Sequence, residues 1–325
     1  MKAVVCRQLG PPSLLRLEDL PDPDLKPHQA RVRLRAAAVN FPDILMVAGG
    51  YQHKPPLPFV PGFEAAGEVV ECGAAVETAK PGDRVIVHLR TGGYADRAVV
   101  DADSLLPMPA NYGFEEGAAF LVGYSTAYVS LVRRGRLAAG EVLLVHGAAG
   151  GVGLAAVELG KHLGARVIAV VSNAEKAAAA RAAGADHTID PASGRLRDAV
   201  RDLTDGRGAD VIYDPVGGDA FDESLRCVAW AGRLLVVGFA SGRIPVLPAN
   251  LALLKGCSVI GVRAGEFARR DPERGAENQR ALLRLAEAGA LRPRIYRTLP
   301  LADFEAAMAL VSERQVIGKV VLTPE

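Results

Sequence analysis

The run Val142-Leu143-Leu144-Val145-His146 leads directly into Gly147-Ala148-Ala149-Gly150-Gly151-Val152-Gly153, and an alanine-rich stretch with helical periodicity follows. An apolar β-type run, a glycine-rich turn and a helix, in that order, form the first half of a βαβ unit. Glycine in such a turn lets the backbone approach a pyrophosphate and lets the helix pack closely on the strand. The helix start adds N–H groups without intrahelical acceptors and the positive end of its dipole. Ala148 stands where the first glycine of a dinucleotide fingerprint is usual, so the context carries more than the bare pattern. A tight structural turn is the plain alternative.

The context is extensive. Beyond Glu141, apolar β-type runs alternate with helical stretches, and strands are expected at 142–146, 167–171, 187–189, 210–213, 234–237 and 258–262. Helices are expected between most of them, for example at 151–163 and 174–183. Six strands joined by helical crossovers make a doubly wound parallel sheet. The first third reads differently. Strands at 2–6, 30–39, 67–71, 84–88 and 94–100 are punctuated by Pro55-Pro56, Pro61-Gly62 and Pro81-Gly82, which suggests a compact barrel. The last stretch carries helices at 276–288 and 302–312 and a strand at 318–322, and is expected to pack back onto that barrel. A length of 325 residues accommodates two such domains.

The type of dinucleotide is read about twenty residues past the turn, at the end of the next strand. An NAD site places an acid there for the ribose hydroxyls. This chain reads Val171-Ser172-Asn173-Ala174-Glu175-Lys176. Ser172 is placed to donate to a 2′-phosphate and Lys176 to add positive charge, with Arg181 further along the same helix. The reading is NADPH. The competing account is that Ser172 or Asn173 caps the helix and Lys176 is solvated.

Charge and cysteine content exclude other classes. A net charge of +1 gives no electrostatic case for nucleic acid or for a membrane surface. Arg133-Arg134 and Arg269-Arg270 are short enough to read as solvated faces. No apolar run approaches the length of a membrane helix, and the N-terminal Met1-Lys2-Ala3-Val4-Val5 reads as a strand rather than a targeting signal. Cys6, Cys72, Cys227 and Cys257 are scattered, without a zinc-type C-x-x-C pair, so buried thiols in a reducing cytoplasm are expected.

Several segments together resemble the zinc-free quinone oxidoreductases of the medium-chain dehydrogenase/reductase superfamily. They are Asn40-Phe41-Pro42-Asp43, Tyr51, Pro61-Gly62-Phe63-Glu64-Ala65-Ala66-Gly67, the Ala148–Gly153 turn and Gly318-Lys319-Val320-Val321-Leu322. The resemblance runs end to end, and Ala148 becomes part of it. It implies a GroES-like β-barrel catalytic domain from residues 1–122 and 264–325, with a Rossmann NADPH-binding domain, 123–263, inserted. It also implies a homodimer pairing sheet edges along the strand 258–262, from Ser258 to Val262. The residues it implies at the cofactor are Asn40, Thr126, Ala149, Gly150, Gly151, Val152, Ser172, Asn173, Lys176, Gly217, Phe239, Ala240 and Lys319. Phe239 reads equally as core, Thr126 as an ordinary helix residue, and Lys319 as a backbone contact or a solvated side chain.

Zinc-dependent relatives need a cysteine, a histidine and a third ligand. The position of the cysteine reads as Asn40 and that of the histidine as Phe63, which cannot ligate, and the six histidines are dispersed. No metal is expected. Without a Lewis acid, hydride transfer suits a quinone or an α,β-unsaturated carbonyl, whose developing charge spreads into the conjugated system and is met by hydrogen bonds. Tyr51 and Asn40 are the candidate catalytic groups. Asp43 reads as structural. A second tyrosine implied by the resemblance is replaced by Leu45. The expected function is an NADPH-dependent quinone reductase acting on a small molecule. The alternatives are an enoyl-thioester reductase, for which Arg90, Arg263, Arg269 and Arg270 would have to form a basic groove, and a non-catalytic NADPH-binding protein.

Overall fold

The computed structural model describes residues Met1–Pro324. Its packing divides into two compact units. One joins Met1–Val122 to the segment from Arg292 onward, and the other is Gly123–Leu291.

The first unit is built from β-strands. β1 (Lys2–Val5) and β2 (Arg16–Asp19) pair antiparallel. β3 (Gln29–Val39) is the longest strand, with Ala30, Val32 and Leu34 turned inward on alternate positions as a half-buried strand requires. α1 (Phe41–Val47) follows it, with Pro42 in its first turn. β4 (Glu64–Cys72) pairs with β3, β5 (Arg84–His88) with β4, β6 (Arg97–Asp101) with β3, and β7 (Leu105–Pro107) with β5, all antiparallel. β3 is long enough to serve two neighbours along one edge: β6 lies on Gln29–Arg33, and the chain's final strand lies on Ala37–Val39. The core inside this sheet holds Val32, Leu34, Val69, Val85, Val87, Tyr94 and Leu322. α2 (Phe114–Tyr128) carries the chain out of the unit.

The second unit is an α/β sandwich. Its elements are β8 (Val142–Val145), α3 (Gly151–His162), β9 (Arg166–Val170), α4 (Ala174–Ala182), β10 (His187–Ile189), α5 (Leu196–Leu203), β11 (Ala209–Asp214), α6 (Asp219–Cys227), β12 (Val228–Val236), α7 (Ala249–Lys255), β13 (Ser258–Gly261), α8 (Ala264–Arg270) and α9 (Pro272–Glu287). The six strands are parallel in the order β10-β9-β8-β11-β12-β13. All four residues of β8 are buried, as expected for a central parallel strand with helices on both faces. The winding reverses between β8 and β11. In such sheets the crevice beyond the carboxyl ends at that reversal is where ligands bind.

The chain then returns to the first unit through β14 (Ile295–Pro300), α10 (Phe304–Ser312) and β15 (Lys319–Thr323), and β15 pairs antiparallel with β3. The expected barrel-plus-Rossmann architecture is therefore observed, with two corrections. Segment 264–291, expected with the barrel, packs in the second unit. Leu282 and Ala286 of α9 are buried, and Arg133 binds Asn278 Oδ1 and Glu277 Oε2, each at 2.8 Å. Arg133 is thus a packing residue and not part of a solvated face. The short strands β2, β7 and β14 and the helix α1 were not expected either.

Candidate active site

In the second unit the glycine turn lies at the reversal of the sheet. Gly147 follows β8 at φ +56°, a left-handed conformation that suits glycine. At Gly153 a Cβ would come within 2.2 Å of the Gly147 carbonyl oxygen, so only glycine allows α3 to sit this close to the turn. Gly150 differs. It caps α3 in extended backbone, and a Cβ there would meet only the Gly147 oxygen, at 3.5 Å. The space before it is an open cradle. Leu154 N–H donates to Gly150 O at 2.8 Å and closes the first turn of α3. The N–H groups of Gly151, Val152 and Gly153 precede that bond and form the orphan donor set of a helix start. Ala149 is buried beneath them. These features fit the pyrophosphate of a dinucleotide.

His146 and Asp214, at the ends of β8 and β11, brace the turn from below. His146 is buried with Nε2 2.8 Å from Ser224 Oγ, whose own hydroxyl donates to Ala220 O. The imidazole therefore donates through Nε2–H. Burial pushes its pKa below the ordinary histidine value, against the pull of the Asp214 charge. His146 is thus a core residue. Asp214 Oδ1 accepts the N–H groups of Val216 and Gly217 at 2.8 and 2.9 Å, which fixes the loop after β11. Gly217 has φ +67°, and Phe239 lies beside it, 2.9 Å from where a Gly217 Cβ would lie; it is exposed, which rules out the reading of it as core. Ala240 N–H donates to Pro215 O at 3.1 Å. Gly217, Phe239 and Ala240 are thus brought together at the carboxyl end of the sheet. Thr126 lies on α2, its carbonyl accepting from Ser130 Oγ at 2.6 Å.

The segment after β9 is held by its own side chains. Asn173 caps α4, its side chain accepting from Lys176 N–H at 2.8 Å, and the Lys176 ammonium lies 3.4 Å from Ser172 Oγ. Ser172 and Asn173 are exposed and Lys176 is half-buried. The Asn173 cap and the hydroxyl–ammonium pair coexist in this segment. Arg181 does not join them, because its guanidinium donates to Thr188 Oγ1 at 2.6 Å.

In the first unit the structure assembles a cluster that the sequence disclosed only in fragments. Asn40 follows β3, Glu64 opens β4 and Lys319 opens β15. Val39 pairs with Val320 in the antiparallel register, so one step further places Asn40 opposite Lys319. The Lys319 ammonium donates to Asn40 Oδ1 at 2.5 Å and to Glu64 Oε1 at 2.8 Å. Lys319 is buried, neither solvated nor limited to a backbone contact, although its N–H does pair with Arg294 O at 2.9 Å. Asp43 buttresses the cluster. Its carboxylate accepts Asn40 N–H at 2.8 Å, Gly62 N–H at 3.1 Å and the Tyr94 hydroxyl at 3.0 Å. Burial pushes its pKa up to about 7, against the pull of Asn40, Tyr94 and Lys319, and burial beside Asp43 raises the Tyr94 phenol well above its usual value. The structural reading of Asp43 agrees with this geometry. Tyr51 packs edge-to-face on Phe63, with ring centroids 5.5 Å apart.

Glu64 was the site residue that sequence reasoning passed over, quoted only as part of a motif. A carboxylate between Phe63 and Ala65-Ala66, at the start of an apolar strand, was the available signal. A buried acid must be paired.

The comparisons agree with this architecture. Residues 26–110 match the model of the alcohol dehydrogenase GroES-like domain, and residues 151–279 match that of the zinc-binding dehydrogenase domain. A GroES-like unit joined to a Rossmann-type unit defines an oxidoreductase of the medium-chain dehydrogenase/reductase class. A quinone oxidoreductase-like protein 2 homolog from Nematostella vectensis is 40% identical over 324 residues, 99% of this chain and 88% of that protein. A 2-haloacrylate reductase from a Burkholderia species is 33% identical, covering 100% of this chain and 99% of its own. The Escherichia coli quinone oxidoreductase complexed with NADPH superposes with a TM-score of 0.91 at 29% identity, covering 100% of both chains. The chain belongs to the quinone oxidoreductase family of that superfamily.

The name of the second domain model implies zinc, and the residues present do not fit it. Phe63 offers no ligating atom, and an ammonium already stands where Asn40 and Glu64 converge. Among the described residues no group of three or more His, Cys, Asp or Glu is arranged to hold a metal ion.

Proposed function

We propose that this chain is an NADPH-dependent, metal-independent reductase that transfers hydride to a quinone. The observation that carries the proposal is the open cradle at Gly150, followed at the end of the next strand by the Ser172–Lys176 pair in place of an acid. Bound NADPH supplies the hydride from its nicotinamide ring. The chain's own residues bind and orient it. The N–H groups of Gly151 and Val152 take the pyrophosphate, with Ala149 and Gly150 shaping its approach, and Ser172, Asn173 and Lys176 take the 2′-phosphate. Thr126, Gly217, Phe239 and Ala240 flank the cofactor. Asn40 and Lys319 join in a polar cluster within the first unit. Tyr51 donates to the substrate oxygen.

The Burkholderia relative acts, by its name, on 2-haloacrylate, which supports a second reading: reduction of an α,β-unsaturated carboxylate or carbonyl. The enoyl-thioester form of that reading gains nothing from the arginines. Arg269, Arg270 and Arg263 converge on Glu266 at 2.5, 2.8 and 3.8 Å instead of lining a groove. Turnover of NADPH and NADH against a panel of quinones, enones, acrylates and enoyl-CoAs tests the proposal. Quinone reduction with NADPH is expected. Oxidation of neither cofactor against any acceptor would refute it and favour a non-catalytic NADPH-binding role.

We further propose a homodimer paired along β13. That strand is the edge of its sheet, and Trp230 and Leu253 expose 76% and 79% of their surface, an apolar area that a partner would cover. Sedimentation velocity is expected to show a dimer that Trp230→Glu dissociates. A monomeric wild type would refute the pairing. No helix among the described residues is long and apolar enough to cross a membrane. A cytoplasmic location fits the free thiols of Cys6, Cys72, Cys227 and Cys257.

A further inference from the structure

Asn40 is the obvious hydrogen-bond donor of the barrel cluster, yet its carboxamide is fully committed. Oδ1 accepts from the Lys319 ammonium, and Nδ2 donates to Ala38 O at 3.3 Å and Glu64 Oε1 at 3.2 Å. A carboxamide carries two N–H bonds, and both are used. Glu64 is equally committed: Oε1 serves Lys319 and Asn40, and Oε2 accepts Val122 N–H at 2.8 Å. The ammonium has three N–H bonds, of which Asn40 and Glu64 take two. Burial is graded in the same sense. Glu64 is sealed at 0% exposure, whereas Asn40 and Lys319 keep 6% and 7%. The cluster therefore turns its anion inward and leaves a donor of its cation outward.

We propose that the Lys319 ammonium is the catalytic residue that meets the negative oxygen formed in reduction, with Glu64 holding its charge and Asn40 positioning it. The proposal rests on the reductase reading above and names the group that does, in this chain, what a Lewis acid does elsewhere. As hydride bonds to a carbon conjugated with the carbonyl, the π pair moves onto oxygen, and that oxygen accepts the third Nζ–H. For a quinone, the O–H bond forms as this Nζ–H bond breaks, and the neutral amine regains its proton from water. The quinone thereby gains the hydride, which bound NADPH would supply, and one proton; loss of the ring C–H proton and protonation of the second oxygen then complete the hydroquinone, and the lysine ends as it began. A charge fixed in a dry, prearranged setting stabilises a developing anion far more than the same charge in water.

The competing account is that Lys319 and Glu64 only pin β15 to β4. Replacing the lysine alone strands a buried carboxylate and endangers folding. The informative variant is therefore the double Lys319→Met/Glu64→Gln, beside Lys319→Arg, which keeps the charge. Each is assayed with two acceptors: an electron-poor quinone whose reduced anion is already stable, and an alkyl-substituted quinone whose reduced anion is not. NADPH binding is followed separately by thermal shift. Because Lys319 also stands among the residues expected at the cofactor, the double variant is compared with the wild type at NADPH concentrations that saturate each. It should lose about 100-fold or more in kcat on the alkyl quinone, the scale of a lost oxyanion donor, and about 10-fold or less on the electron-poor one, while Lys319→Arg recovers part of the difference. An equal loss on both acceptors, or no loss on either, would overturn the role of Lys319 and leave the reductase reading standing. A wild type that oxidises NADPH with neither acceptor would overturn both.

Discussion

Gly150→Ala separates the cofactor cradle from the fold that carries it. Gly150 has φ −77° and ψ 170°, a conformation open to any residue, and the added Cβ makes one ordinary contact at 3.5 Å. The free protein should lose only the difference between glycine and alanine at a helix N-cap, at most about 1 kcal/mol, or about 2–4 °C in Tm for a unit of this size. The methyl group would, however, fill the space through which a pyrophosphate reaches the N–H groups of Gly151 and Val152. Losing charge-assisted hydrogen bonds worth about 1.5–3 kcal/mol weakens binding about 10- to 100-fold. With NADPH at about 100 times the wild-type Kd, the wild type gains about 2.7 kcal/mol, and a variant weakened 100-fold gains about 0.4 kcal/mol. Thermal shift with and without NADPH reads both effects. A variant that keeps its Tm and most of the NADPH-induced rise would refute the placement of the pyrophosphate. Gly153→Ala is the contrast, since its Cβ lands 2.2 Å from a backbone oxygen and should destabilise the free protein first.

Replacing both Ser172 and Lys176 by alanine should raise the KM for NADPH about 10-fold, the value of one charge-assisted bond, and leave that for NADH unchanged. A parallel rise for both cofactors would remove the pair from 2′-phosphate recognition. Tyr51→Phe should lower kcat/KM about 10-fold or more with the preferred acceptor, and an unchanged value would remove the phenol from the mechanism. Asp43 gives a pH signature. Its folded pKa of about 7 lies above the ordinary carboxyl range, so the folded state binds the proton more tightly. Its contribution to stability is therefore fully present below about pH 4 and is lost as pH rises toward 7, by up to about 4 kcal/mol. Urea midpoints across that range should fall more steeply for the wild type than for Asp43→Asn, and identical slopes would contradict the burial argument.

The second unit was legible because most of its strands carry a short apolar run flanked by a helical stretch, and because Gly147, Gly150 and Gly153 in the turn each have a chemical reason. The first unit was less so. β7 spans three residues and β2 reads Arg-Leu-Glu-Asp, too short and too charged to announce themselves against turn signals. α1 was hidden by Pro42, which reads as punctuation but is tolerated in a first helical turn. α9 carries a clear apolar stripe, yet a stripe states that a face is buried and not against what. Its tie to Arg133 spans 144 and 145 residues of sequence. Lys319 and Glu64 are 255 residues apart, and only the register of β3 with β15 and β4 brings them to the same end of the sheet. Each residue of that cluster was visible in the sequence. Their convergence was not, because it is a property of strand pairing.

The central claim is hydride transfer from NADPH to a conjugated carbonyl without a metal. The most direct measurement is an anaerobic single-turnover reaction of the purified protein with NADPH carrying deuterium at the transferred position, using a quinone acceptor in the presence of a chelator. The account predicts stoichiometric oxidation of NADPH in preference to NADH, a primary isotope effect on the hydride step and no loss of rate with the chelator. Absence of NADPH oxidation, preference for NADH, or activity abolished by the chelator and restored by zinc would contradict it.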